Sequence, residues 1–111
     1  MRWSNSELMA VVKDAPPDFD SGSQYAYSNT NYFLLGMIIE RASGVPYQEY
    51  LEKNIFAPAR LTATSVCGAA SNDPRLATGY VYDGDQPTRE PDIGLDAPFS
   101  SGGLCSTALV S

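Results

Sequence analysis

Tyr27, Ser28 and Asn29 set a phenol, a hydroxyl and a carboxamide side by side, just ahead of the nearly unbroken apolar run "NYFLLGMIIERASG". A phenol can shuttle a proton where a neighbouring cation lowers its pKa from about 10. In an extended segment, residues two apart project to the same side, so Tyr27 and Asn29 can face one cleft. The Asn29 amide offers donors and an acceptor together, which suits a substrate amide or the orientation of a lysine amine. The plainer alternative is that Asn29 caps the following helix and Tyr27 packs beneath it. With 7 tyrosines in 111 residues, Tyr-x-Asn is a weak motif, and on the tripeptide alone the capping alternative is the better one.

Three helical stretches would have to position these residues. In "SNSELMAVVKD", Ser4 with Glu7 three residues on has capping-box spacing, and Leu8, Val11 and Val12 form an apolar face. Trp3 is expected to pack against this helix. Pro16-Pro17 and Ser21-Gly22-Ser23 then break the chain. From about Asn31 to Ser43 a second helix ends at Gly44, a C-cap. Its apolar residues surround the axis, so it should be buried on most sides, yet a chain of 111 residues is too small to cover it. Pro46 opens a third helix, "PYQEYLEKNIFAP", whose face is Tyr47, Tyr50, Leu51 and Ile55 and which Pro58 stops.

Beyond Pro58 the texture changes to β-branched residues, tyrosines and turn formers. Asp83-Gly84 after Tyr80-Val81-Tyr82 marks a hairpin tip, and Ser106-Thr107 starts a helix whose first turn is cut at Ser111.

Composition removes whole classes of function. The net charge of −6, with 7 scattered Lys and Arg, argues against nucleic acid. No histidine is present, which excludes a Ser-His-Asp triad or a His-bound zinc within this chain. No apolar run reaches the roughly 20 residues of a membrane span. Asp83, Asp85, Glu90, Asp92 and Asp96 lack EF-hand spacing and read as a solvated acidic loop, so no metal is expected. Ser100-Ser101-Gly102-Gly103 lacks a following Gly-Lys-Ser/Thr and is a structural turn before it is a phosphate cradle. Cys67 and Cys105 could form one bridge or stay as small buried thiols, and the usual burial of free cysteine favours the thiols.

Wider context changes the weight of the tripeptide. Gly22-Ser23, Tyr27-Ser28-Asn29, Tyr32 with Leu35-Gly36, Ser43-Gly44 with Tyr47, and Phe56 with Pro58 and Thr64 stand in a fixed order. "LATGY" and "SSGGLCSTA" follow. Together, from about Ser6 to Val110, they resemble the serine β-lactamase and penicillin-binding-protein-like family. That group spans class C β-lactamases, D-alanyl-D-alanine carboxypeptidases and related esterases. The chain departs from the family pattern at Ser21, where proline is usual, and at Pro58-Ala59-Arg60-Leu61, which replaces Pro-Leu-Gly-Met.

The resemblance implies an α+β, β-lactamase/transpeptidase-like fold, of which residues 1–111 form a partial, central segment: mainly the helical region with cleft-bordering loops and short strands. It implies acyl transfer through a serine ester on a β-lactam, a D-Ala-D-Ala peptide or a simple ester. Tyr27 would be the general base or proton shuttle, Asn29 a substrate and lysine contact, and Gly102 and Gly103 a turn close to the substrate. No cofactor is expected. The family nucleophile lies in Ser-x-x-Lys, where one helical turn places the amine beside the hydroxyl. Here Lys13 and Lys53 follow Ala10 and Tyr50 at that spacing, so neither fits, and Lys-Thr-Gly or His-x-Gly is also absent. The expectation is therefore a nucleophile motif upstream, a third motif downstream, and a chain inactive alone. Full-length relatives are commonly periplasmic or secreted. The rival expectations are a non-catalytic module that binds a partner or itself through uncovered apolar surface, and one half of a split enzyme.

Overall fold

The computed structural model describes residues 4–67, 73–90 and 99–109. Trp3, Asp92 and Asp96 lie outside the described residues, as do the last two positions of the expected C-terminal helix. Helix α1 (Asn5–Val12) starts as its sequence requires: the Ser4 hydroxyl accepts from the Glu7 amide, and the Glu7 carboxylate accepts from the Ser4 amide. These contacts hold the Glu7 carboxyl below its ordinary range.

Helix α2 (Asn29–Ser43) ends at Gly44 in the left-handed conformation. Its buried residues are Phe33 and Gly36, whereas Tyr32, Leu35 and Ile38 are 52%, 52% and 59% exposed. Burial on most sides is therefore not met within this chain. The three exposed residues recur every third position and leave one flank uncovered.

Helix α3 (Tyr47–Leu51) begins one residue after Pro46, whose side chain cannot cap it. The Glu40 carboxylate of α2 supplies the acceptor instead, taking the Tyr47 amide at 2.9 Å. This bond closes the hairpin of α2 and α3. The expected continuation to Pro58 is not α-helical. A π-helical turn (Glu52–Phe56) follows α3 directly, and its i→i+5 pairing advances the inward face by one residue. Leu51 and Phe56 are buried at 7% and 6% exposure while Ile55 is 46% exposed. The face is Leu51 with Phe56, correcting the α-helical spacing that pointed to Ile55. Arg60, standing where the family pattern has glycine, adopts φ 59°.

Among the described residues, four short strands form two separate antiparallel pairs. Strand β1 (Ser65–Val66) pairs with β4 (Leu104–Cys105), Ser65 opposite Cys105 and Val66 opposite Leu104. Strands β2 (Tyr80–Asp83) and β3 (Gln86–Arg89) form the expected hairpin, with Asp83 still paired to Gln86, so that Gly84 and Asp85 make the tip. Residues 106–109 form no helix, which corrects the expected start at Ser106-Thr107. Preceding β4, a 3-10 turn (Phe99–Ser101) packs on α2. The Phe99 ring meets Phe33 at 5.8 Å and Tyr47 at 4.9 Å, and the Ser100 hydroxyl donates to the Tyr32 carbonyl at 2.6 Å.

The cysteines are bonded to each other rather than free, with their Cα atoms 5.1 Å apart. Pairing of β1 with β4 brings Cys105, in β4, next to Cys67, the residue that follows β1, a proximity no property of either residue alone could reveal.

Candidate active site

Ser28, at the N-cap of α2, is extended (φ −148°, ψ 120°) and makes no side-chain cap. That conformation turns Tyr27 and Asn29 to one side, and the Tyr27 hydroxyl donates to Asn29 Oδ1 at 3.1 Å. The capping alternative is not what forms. Asn29 accepts from the phenol instead of from a helix amide, and Tyr27 is 70% exposed rather than packed beneath the helix. The bond consumes the phenol hydrogen. Among the described residues, the lone pairs of that oxygen and the Asn29 NH2 make no other hydrogen bond.

Two hollows flank this pair. A cleft of about 650 Å³ is bounded by the end of α1, the Pro16-Pro17 turn and the start of α2, and Tyr27, Ser28 and Asn31 line it. Asn29 lines a second hollow of about 190 Å³, with Leu8, Val11, Phe33 and Ser101. Val12 and Thr30 border both. Tyr27 and Asn29 are thus bonded to each other but border adjoining spaces, where the sequence suggested one cleft.

Gly102 and Gly103 line neither space. Their neighbour Ser101 does, so the glycine turn reaches the Asn29 hollow through that residue. Gly103 is buried, and a Cβ there would stand 2.8 Å from the Phe99 carbonyl oxygen, so the tight return of the chain requires glycine. Its amide donates to that same carbonyl at 3.2 Å.

Three residues with no site role expected from the sequence also contribute. Lys13, set aside because nothing three residues before it is a serine, lines the same cleft as Tyr27. Its place at the end of α1, next to the Pro-Pro break, was the available signal. Ser100 and Ser101 carried no signal beyond their glycine neighbours. Their roles depend on contacts across 68 residues of sequence. Among the described residues, no group of three or more Cys, Asp or Glu is placed to hold a metal ion.

Comparison with known proteins adds an independent line. A family model described as "Beta-lactamase" matches residues 1–109. Penicillin-binding protein 4* of Bacillus subtilis (strain 168) is 41% identical over 68 residues, which are 59% of this chain and 15% of that protein. The D-amino acid amidase of Ochrobactrum anthropi SV3, solved with L-phenylalanine amide, superposes with a TM-score of 0.77 at 29% identity. The superposition covers 95% of this chain and 32% of the amidase. A D-stereospecific amidohydrolase from Streptomyces sp. gives 0.74 at 31% identity over 92% of this chain and 31% of its own. The chain thus spans about a third of those solved structures.

Proposed function

The chain belongs to the beta-lactamase family, and from that premise we propose that it is the central segment of a serine hydrolase, carrying one wall of its reaction site. Its fold is the α+β, β-lactamase/transpeptidase-like fold, of which the three helices and short strands form a part. In the proposed reaction a serine oxygen attacks the substrate carbonyl, an ester forms, the amine or alcohol leaves with a proton, and water releases the acid. The serine and its lysine come from a Ser-x-x-Lys motif in polypeptide preceding Met1, and Lys-Thr-Gly or His-x-Gly from polypeptide following Ser111. Tyr27 relays the proton between nucleophile and leaving group. Asn29 holds the substrate carbonyl or the lysine amine. The Gly102-Gly103 turn lies close to the substrate, its neighbour Ser101 bordering the Asn29 hollow.

One observation carries this reading: the exposed phenol of Tyr27 bonded to Asn29 Oδ1. A side-chain pair held by its own hydrogen bond at the lip of a cleft presents an oxygen and an NH2 with fixed directions. Such preorganisation favours proton transfer and carbonyl binding. The substrate class we propose is an amide, peptide, ester or β-lactam next to a D-configured centre. Support for it comes from the likeness to a D-amino acid amidase and a D-stereospecific amidohydrolase. No cofactor enters, because the lysine and tyrosine do the proton work.

The test is to express the full reading frame containing this segment, label it with a fluorescent penicillin, and assay a chromogenic β-lactam, a D-amino acid amide and a nitrophenyl ester. Tyr27→Phe should lower acylation by about 10²–10⁴-fold, the usual span of a general acid–base contribution. The 111-residue chain alone should turn nothing over. Robust turnover by that chain, unaffected by Tyr27→Phe, would refute the assignment.

The exposed flank Tyr32, Leu35 and Ile38 favours a second, compatible reading: remaining polypeptide of the same domain covers it. A non-catalytic module that self-associates through this flank is the alternative. Gel filtration of the full-length product separates the two, since self-association predicts a concentration-dependent dimer and domain completion a monomer.

A further inference from the structure

The Gly102-Gly103 turn is held at both ends by unlike means. At its N-terminal end Phe99 stacks against Phe33 and Tyr47, and Ser100 bonds the Tyr32 and Phe33 carbonyls at 2.6 and 3.3 Å. At its C-terminal end the attachments include the two-residue β1–β4 ladder, the Cys67 amide donating to the Gly103 carbonyl at 2.6 Å, a hydrogen bond between the Thr64 and Ser106 hydroxyls at 2.7 Å, and the Cys67–Cys105 bridge. A ladder of two residue pairs is marginal without further support. The bridge supplies that support, and it is the one attachment that a reagent can remove and restore.

We propose that the Cys67–Cys105 bridge is a redox latch on the glycine turn, opened by a dithiol that attacks Cys105 from an adjoining recess. Cys105 lines a hollow of about 180 Å³ together with Thr64, Ser65, Asp73, Arg75 and Ser106. Cys67 is 6% exposed and does not border it. A thiolate entering the recess therefore meets the Cys105 sulfur first. Attack forms a mixed disulfide at Cys105, breaks the Cys67–Cys105 bond, and expels Cys67 as a thiolate that takes up a proton. The second thiol of the same reagent then attacks the reagent's sulfur in the mixed disulfide, and Cys105 leaves as a thiolate and is protonated. The reagent departs as a disulfide, having passed two electrons and two protons to the protein. Burial of Cys67 makes it a poor leaving group, so a monothiol stalls and falls back while a dithiol completes the exchange.

Once open, the latch frees residues 102–106 and leaves 99–101 docked on α2. The consequence for substrate falls on Gly102 and Gly103, which the hydrolase reading sets near it, and rests on that reading. The latch itself does not, and it is tested without substrate.

The experiment is hydrogen exchange by mass spectrometry on the product of the full reading frame containing this segment, before and after dithiothreitol, with the masses of the peptides bearing Cys67 and Cys105 reporting the gain of two hydrogens. Amides of residues 65–67 and 102–106 should exchange about tenfold or more faster after reduction, while α2 and α3 keep their protection. The Cys67→Ser/Cys105→Ser variant should show the same pattern without reductant. Equal thiol concentrations of 2-mercaptoethanol should open the bridge far more slowly, and acid-trapped adducts should sit on Cys105. Unchanged exchange at 102–106 would overturn the latch, because the turn would then be held without the bridge. Loss of protection throughout α2 and α3 would overturn it too, making the bridge a general staple. Adducts found on Cys67 would overturn the direction of attack.

Discussion

Replacing Gly36 by alanine sets two physical effects of opposite sign against each other at the contact that seats the glycine turn. Gly36 lies in the middle of α2 and is buried. On helix propensity alone, Gly36→Ala should stabilise the protein by about 0.8–1.0 kcal/mol. The structure predicts the reverse. A Cβ there would overlap the Ser100 hydroxyl and stand 2.6 Å from Cε1 of Phe99. Neither neighbour moves cheaply. Ser100 is committed to the Tyr32 carbonyl at 2.6 Å, and the Phe99 ring is held between Phe33 and Tyr47. Overpacking at such a site costs about 1–3 kcal/mol. Losing the Ser100 bond costs about 0.5–1.5 kcal/mol more. After the propensity gain is set against these, the net destabilisation is about 2 kcal/mol. Urea unfolding followed by far-UV circular dichroism measures it as a lower midpoint with unchanged slope. A double-mutant cycle with Ser100→Gly should recover part of the loss, because the overlapping atoms and the bond are both gone. Gly36→Ala as stable as the parent, or more so, would show that the 99–101 turn does not pack on α2 as described.

Three further outcomes follow from the structure. Phe56→Ala should cost about 3–5 kcal/mol while Ile55→Ala costs far less, because the π turn directs Phe56 inward; the same urea titration ranks them, and equal costs would deny that register. Arg60→Gly should raise stability by about 1 kcal/mol or somewhat less, since glycine relieves the left-handed residue at φ 59° but adds unfolded-state entropy; thermal melting shows the sign. The Arg75 guanidinium, 2.6 Å from Asp73, lowers that carboxyl from its ordinary 3.8 to about 2, so carboxyl-detected NMR should place its titration there and Arg75→Ala should return it towards 3.8. A carboxylate depressed in the folded state contributes stability that is present above the unfolded value and lost as pH falls towards 2, and solvent screening keeps that contribution small for so exposed a pair.

The start of α1, the stop of α2 and the β2–β3 hairpin were legible from residue types because each is settled within a few residues, whereas α2 begins at Asn29, two residues before the expected Asn31. Ser4 and Glu7 satisfy each other's amides, Gly44 takes the left-handed cap, and Gly84 turns the hairpin. The Tyr27–Asn29 contact belongs with them, since an extended Ser28 is enough to bring residues two apart together. The family was legible too, because its motifs keep their order along nearly the whole chain.

Harder to read were features set by residues distant in sequence. Cys67 and Cys105 stand 38 residues apart, and nothing in either decides between a thiol and a bridge until β1 meets β4. Ser100 reaches α2 across 68 residues, and through that contact Ser101 comes to border the Asn29 hollow. The π turn replaced an α-helical face with one shifted by a residue, because Phe56 gains more by burial than the regular hydrogen-bond pattern loses. Local backbone chemistry, complete within one turn of chain, could be written down from the letters. Which surfaces meet, and so which hollow each polar side chain borders, depends on the summed packing of segments far apart, and that sum exists only in the folded molecule.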